Sequence, residues 1–173
     1  MKKIFLTIAL AVSLFSSEYI VDKKYSSIKF EASKMLFVGV DGEFSNFFGR
    51  LNVIGGKLSN IDGTISINSI NTKNTERDDH LKADDYFHMI KFPNVKFKSN
   101  EIINDIVKAN ITIKGITKEH TFKISNLSIS NKNVSFKLTS TVNRQEFMLN
   151  GSMSAIMADN VDVIANIVAN KNN

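Results

Sequence analysis

The chain has 173 residues, with 22 Lys and Arg against 17 Asp and Glu, a net charge of +5, a single Pro and neither Cys nor Trp. Absence of Cys excludes a disulfide scaffold, thiol chemistry and thiolate-held metals. The positive excess is small and no five Lys or Arg follow one another, so the clustered basic stripe of a nucleic-acid surface is missing.

Lys2 and Lys3 precede an almost unbroken apolar run, Ile4 to Phe15, closed by the small residues Ser16 and Ser17. That order matches a secretory signal peptide. The run falls short of the ~20 apolar residues that a membrane-spanning helix needs. Residues 1–17 are therefore expected to be a cleaved signal peptide, with the mature end at Ser17 or Glu18 and export to a periplasm. Residues 18–173 are expected to form one domain, with no membrane span. Without Lys2 and Lys3 the charge falls from +5 to about +3.

Short strands follow. Ile28, Phe30 and Ala32 alternate with Lys29 and Glu31. Met35 to Phe48 breaks the rhythm, being apolar with Phe37, Phe44, Phe47 and Phe48 close together. A strand then runs through Ile65 and Ile67. Beyond Pro93, Val95 and Phe97 alternate with Lys96 and Lys98. Further alternation follows over Val107–Ile113, Phe122–Ile124, Val134–Val142 and Val161–Ile167. This period of two marks strands with one face in water. Turn residues fall between them, at Gly55-Gly56, Asp62-Gly63, Asn104-Asp105, Lys114-Gly115, Asn131-Lys132-Asn133 and Asn150-Gly151. The fold class is all-β, an antiparallel sandwich or barrel. Alternation does not separate the two. Eleven of the thirteen Phe lie beyond residue 17, and rings at inward positions can line a cavity as well as fill a core.

The stretch from Asn68 to Pro93 differs from its surroundings. It turns from a strand into the polar run Glu76-Arg77-Asp78-Asp79-His80 and ends in Tyr86, Phe87 and Phe92. Thr75 to Ala83 reads as a helix capped by Asn74 or Thr75, with acids in its first turn where the dipole favours them. Set between strands, such a segment has the makings of a lid. Asp78, Asp79, His80, Asp84, Asp85 and His88 are ligand types, but capping explains the acids and no His pair stands four apart on one helix face, so no metal is expected. No nucleophile elbow or phosphate loop occurs. An enzyme would have to use His80 with Asp78 or Asp79 as acid and base, and a protein whose Phe residues only fill a core is the other alternative. Arg77 is a candidate contact for a ligand head group. Asn143 and Arg144, where an alternating strand turns polar, are two more. A free strand edge would also allow a homodimer.

Several motifs occur in a telling order: Ser69-Ile70-Asn71-Thr72, Arg77-Asp78-Asp79-His80-Leu81, Tyr86-Phe87, and Pro93 with Phe97-Lys98-Ser99. Gly42-Glu43-Phe44 and Phe47-Phe48-Gly49 precede them. Thr112-Ile113-Lys114-Gly115-Ile116-Thr117-Lys118 and Asn143-Arg144-Gln145-Glu146-Phe147 follow. The chain thereby resembles the YceI-like, polyisoprenoid-binding proteins over nearly all of residues 18–173. It departs from them at Tyr19, where Trp is frequent, and at Tyr25 and Lys34, where His is frequent. The resemblance implies an extended eight-stranded antiparallel lipocalin-like barrel with one or two short helices and a long apolar channel. It implies binding, carriage or sequestration of a long-chain amphiphile, a polyisoprenoid or fatty-acid-like lipid, without catalysis or cofactor. Phe30, Phe37, Phe44, Phe47, Ile67, Leu81, Phe87, Phe92, Phe97, Ile111, Phe122, Phe136 and Phe147 are the expected walls, with Arg77, Asn143 and Arg144 at the head group. Burying roughly 15 tail carbons at about 0.8 kcal/mol each would supply roughly 12 kcal/mol, less several kcal/mol for association and ordering.

Overall fold

A computed structural model of the chain describes residues 16–34, 39–151 and 157–172. Phe37 and the apolar run Ile4–Phe15 lie outside the described residues. The strands are β1 (Ser16–Val21), β2 (Ser27–Lys34), β3 (Val40–Phe44), β4 (Phe47–Ile54), β5 (Lys57–Ser66), β6 (Ile70–Asn71), β7 (Asn94–Ile103), β8 (Ile106–Ile113), β9 (Ile116–Ile129), β10 (Asn133–Asn143) and β11 (Met157–Lys171). One α-helix, α1 (Thr75–Lys82), joins β6 to β7, and 3-10 turns occupy Ile67–Ser69 and Arg144–Phe147.

All the pairings are antiparallel, and they close on themselves. β1 pairs with β4 on one side and with the end of β11 on the other, Tyr19 opposite Leu51 and Lys171. From β4 the order runs β5, β7, β8, β9, β10, β11. β2 continues β1 along β11, Ile28 opposite Ala165. β3 continues β4 and carries β6. The barrel therefore has eight staves, three of them interrupted. At the first interruption the Ser26 hydroxyl takes the place of a strand backbone: it accepts from the Val168 amide at 3.0 Å and donates to the Val168 carbonyl at 3.1 Å.

Closure pairs each stave with a neighbour on both sides, which removes free edges from the ring. Around most of the ring no edge is left for the expected homodimer; the exception among the described residues is β6, which pairs with β3 alone. Inward positions carry the apolar half of each alternation: Val107, Ala109, Val134 and Ala169 are wholly buried. One end is closed by short hairpins and by Tyr19, whose hydroxyl donates to the Ser130 carbonyl at 2.9 Å.

Two local readings are corrected. Asp62-Gly63 is not a turn. Both residues lie inside β5, and Gly63 stands opposite Gly49 of β4. The strand through Ile67 stops at Ser66, because the Ser69 hydroxyl donates to the Ser66 carbonyl at 2.7 Å and the Ile67 amide turns to the Pro93 carbonyl at 2.9 Å. By contrast Gly55-Gly56 and Lys114-Gly115 do turn the chain, with positive φ at all four residues.

Candidate functional site

Three connections converge at the other end of the barrel. Lys114, in the β8–β9 turn, donates from Nζ to the Met148 carbonyl at 3.1 Å and to the Asp85 carbonyl at 3.4 Å. It thereby ties the β10–β11 corner to the segment that follows α1. Phe92 packs against the same turn so closely that a Cβ on Gly115 would come within 2.6 Å of its ring. The ring also meets His88 edge-on, with centroids 5.8 Å apart. Phe92, expected in the cavity wall, thus fastens the lid from outside it.

α1 starts where the sequence places it. The Asn74 side chain accepts from the Arg77 amide at 2.9 Å, satisfying one of the unpaired amides of the first turn. Beneath it lies a buried polar knot. The Asp78 carboxylate accepts from the Thr72 amide at 2.8 Å and from the Thr72 hydroxyl. Arg77 in turn donates from Nε to the Thr72 hydroxyl at 2.8 Å and from Nη2 to the Thr72 carbonyl at 2.7 Å. Leu81, on the same helix, is buried and faces the barrel interior. The segment therefore has one polar footing and one apolar face.

Under the lid is a cavity of about 160 Å³. Phe30, Phe44, Leu81, Phe87, Phe97, Ile111, Phe122 and Phe147 line it, as do Arg77 and Arg144. A second cavity of about 100 Å³ lies deeper, lined by Phe47, Phe136, Phe97, Phe122 and the paired Gly49 and Gly63. Ile67 is buried but borders neither cavity, since the 3-10 turn takes it out of the strand register. Tyr86, Leu149 and Val163 were not singled out from sequence and do face the upper cavity. Val163 belongs to the inward half of the β11 alternation, so its signal was present. Tyr86 and Leu149 sit in irregular chain, where no period marks them.

The two arginines at the cavity differ. Arg144 is almost wholly buried. Its Nη1 donates to the Leu149 carbonyl at 2.6 Å, its Nε to the Ala158 carbonyl at 3.1 Å and its Nη2 to the Asp159 carboxylate at 2.9 Å. Asn143 does not face the cavity, because its side chain accepts from the Gln145 amide at 2.9 Å and caps the 3-10 turn. Burial raises the Tyr86 hydroxyl above the ordinary tyrosine pKa, and the positive charge of Arg144 opposes that rise only in part. Next to the corner, His120 stacks on Phe147 with centroids 5.7 Å apart and brings its Nε2 to 3.4 Å from the Glu146 carboxylate.

The acid–base alternative meets a different geometry from the one it assumed. Asp78 is engaged by Thr72, and Asp79 lies 3.9 Å from Lys82. His80 Nε2 stands 3.5 Å from Asp85. Among the described residues no three His, Asp or Glu are grouped as metal ligands, and no helix is long and apolar enough to cross a membrane.

A closed eight-stranded antiparallel barrel with an apolar interior and a lid at one end defines the lipocalin-like class. The YceI-like domain model matches residues 19–169, and the chain belongs to that family. A UPF0312 protein of Staphylococcus aureus is 30% identical over 142 residues, which cover 78% of this chain and 83% of that protein. The crystal structure of Burkholderia cenocepacia BcnA superposes with a TM-score of 0.75 at 20% identity, covering 86% of this chain and 98% of that one. A polyisoprenoid-binding domain from Saccharophagus degradans superposes with a TM-score of 0.70 at 13% identity, covering 89% and 98%. The last two likenesses are of fold.

Proposed function

We propose that the protein binds a long-chain amphiphile, a polyisoprenoid or fatty-acid-like lipid, and carries or sequesters it in the barrel without altering it. One observation carries the reading: the cavity wall is apolar and aromatic around nearly its whole surface, and its charged side chains are Arg77 and Arg144 at the lidded end together with Lys29 on β2. An apolar chamber with a few polar groups at one end suits a tail inside and a head at the mouth. The family and the polyisoprenoid-binding relative of the same fold support this.

Within this reading Phe30, Phe44, Leu81, Phe87, Ile111 and Phe147 contact the tail near the lid, and Phe47 and Phe136 contact it deeper in the barrel. Arg77 meets the head group. Arg144, whose donors turn to Leu149, Ala158 and Asp159, holds the rim in shape beside it. We also place the protein in the periplasm, exported by cleavage of residues 1–17. Cleavage at Ser17 or Glu18 removes only the first residue or two of β1 and leaves Tyr19 in place. Mass spectrometry of lipid extracted from the purified mature protein tests the reading. A co-purifying long-chain amphiphile is expected. A protein free of lipid, and not stabilised by any added, would overturn it. Accumulation of a modified lipid would favour the enzyme.

A further inference from the structure

The two cavities share five side chains: Ile28, Ile65, Phe97, Phe122 and Val163. Phe97 on β7 and Phe122 on β9 reach inward from either side of β8, where they oppose Ile111 and Val107. Their rings meet edge-on, with centroids 5.1 Å apart at an interplanar angle of 75°. Ile65, Ile28 and Val163 face them from the remaining staves. Ordinary core rings have packed atoms on all sides, whereas each of these two borders open space both towards the lid and away from it.

The deeper space also has a cause in the sequence. Gly49 and Gly63 oppose one another on β4 and β5, and both face inward. A Cβ built on Gly49 would come within 2.7 Å of the Val21 side chain, so glycine there makes room for Val21, and it is at Gly63 that a side chain is missing from the compartment. A Cβ built on Gly63 would stand 3.6 Å from the Phe48 carbonyl and 3.8 Å from the Phe97 Cβ, which are ordinary contacts. Nothing in the packing of that strand forces glycine there.

Resting on the carrier reading above, we propose that the Phe97–Phe122 pair is a partition that sets which tail lengths the protein accepts. A short tail fills the upper compartment and leaves the rings together. A longer one must part them to enter the compartment left open beside Gly63. Rotation of two edge-on rings costs their mutual contact, so the gain per methylene falls at the length where the tail reaches them.

The test is a length series. Affinities of the mature protein for straight-chain fatty acids from hexanoate to stearate, and for prenols of increasing isoprene number, are measured by titration calorimetry below micelle formation. In the wild type, affinity should climb about fourfold per methylene, then more slowly beyond a break. Phe97→Ala should move that break to longer tails. Gly63→Val, which fills the deeper compartment from its own wall, should weaken only the tails that pass the break. Phe122→Leu gives a milder opening should Phe97→Ala melt too low to assay, and thermal melting of each variant establishes that it is folded. The same length profile in the wild type and the folded variants would overturn the partition and leave the carrier standing. Failure of the wild type to bind any member of either series would overturn both.

Discussion

The lid and the β10–β11 corner cover the same cavity, and each brings one arginine to it, but they hold that arginine in opposite ways. At the corner, Arg144 is surrounded by carbonyls from Leu149 and Ala158 and by the Asp159 carboxylate, and its side chain is 1% exposed. At the lid, Arg77 is half-buried and uses Nε and Nη2 on a single neighbour, Thr72, while its Nη1 has no hydrogen bond among the described residues. An identical side chain can thus be a strut in one place and an open hand in another. What separates them is the number of protein acceptors in reach, which residue type does not reveal.

The comparison breaks most easily at Arg144. Arg144→Ala should unfold the corner, because it strands two carbonyls and a carboxylate and leaves a void under Phe147. Removing one partner of a buried pair costs about 3–5 kcal/mol. Asp159 is half in water, so the low end applies, about 3 kcal/mol. For a domain of this size that corresponds to roughly 6–12 °C in Tm. A fall of less than ~1 kcal/mol in urea unfolding would mean that Arg144 is not the strut.

Arg77→Ala should do the reverse, with about 1 kcal/mol lost in stability and a larger effect on binding. A charge-assisted hydrogen bond contributes about 1.5–3 kcal/mol, so a charged amphiphile should bind roughly ten- to a hundredfold more weakly. A neutral amphiphile with the same tail should lose little, since its tail contacts are unchanged. Equal losses for both would show that Arg77 only latches the lid to Thr72.

Much of the frame was legible because strands and caps are local signals. The alternations over β2, β7, β8, β10 and β11 are local, as is the cap, which the sequence narrows to Asn74 or Thr75 and the structure places at Asn74, whereas Leu81 as a wall residue came with the family resemblance. What the sequence hid was non-local. Asp62-Gly63 reads as a turn until Gly49 is found across from it. Phe92 has the composition of a wall residue, and only the packing on Gly115 puts it outside. Arg144 and Arg77 sit in similar polar contexts, and Asn143 looks equally available until its side chain is seen to cap the Arg144–Phe147 turn. Phe37 falls outside the described residues.

The lid can also be loosened without touching either arginine. Asn74→Ala removes the side-chain acceptor for the Arg77 amide, which typically costs about 1 kcal/mol. If the lid gates entry, both association and release of a bound amphiphile should quicken in this variant while equilibrium affinity changes little, as stopped-flow fluorescence would show. Unchanged rates would mean that the ligand enters elsewhere.

Tyr86 gives the smallest effect, one confined to alkaline solution. It packs edge-on to Phe87, with centroids 5.3 Å apart, and lies between the lid and the corner beside Gly151. Burial holds its pKa above the ordinary 10.0 despite Arg144. The folded protein therefore keeps the phenol proton at a pH where the unfolded chain has begun to lose it. Stability from this group is fully present below pH 10.0 and falls as the pH rises through the raised value. Tyr86→Phe removes that dependence, so the urea midpoint of the wild type should fall relative to that of the variant as the solution is made alkaline, while the two differ by a constant near neutrality. Parallel curves up to strongly alkaline pH would mean that the hydroxyl reaches water in the folded state, and that the seam between lid and corner is open where these contacts close it.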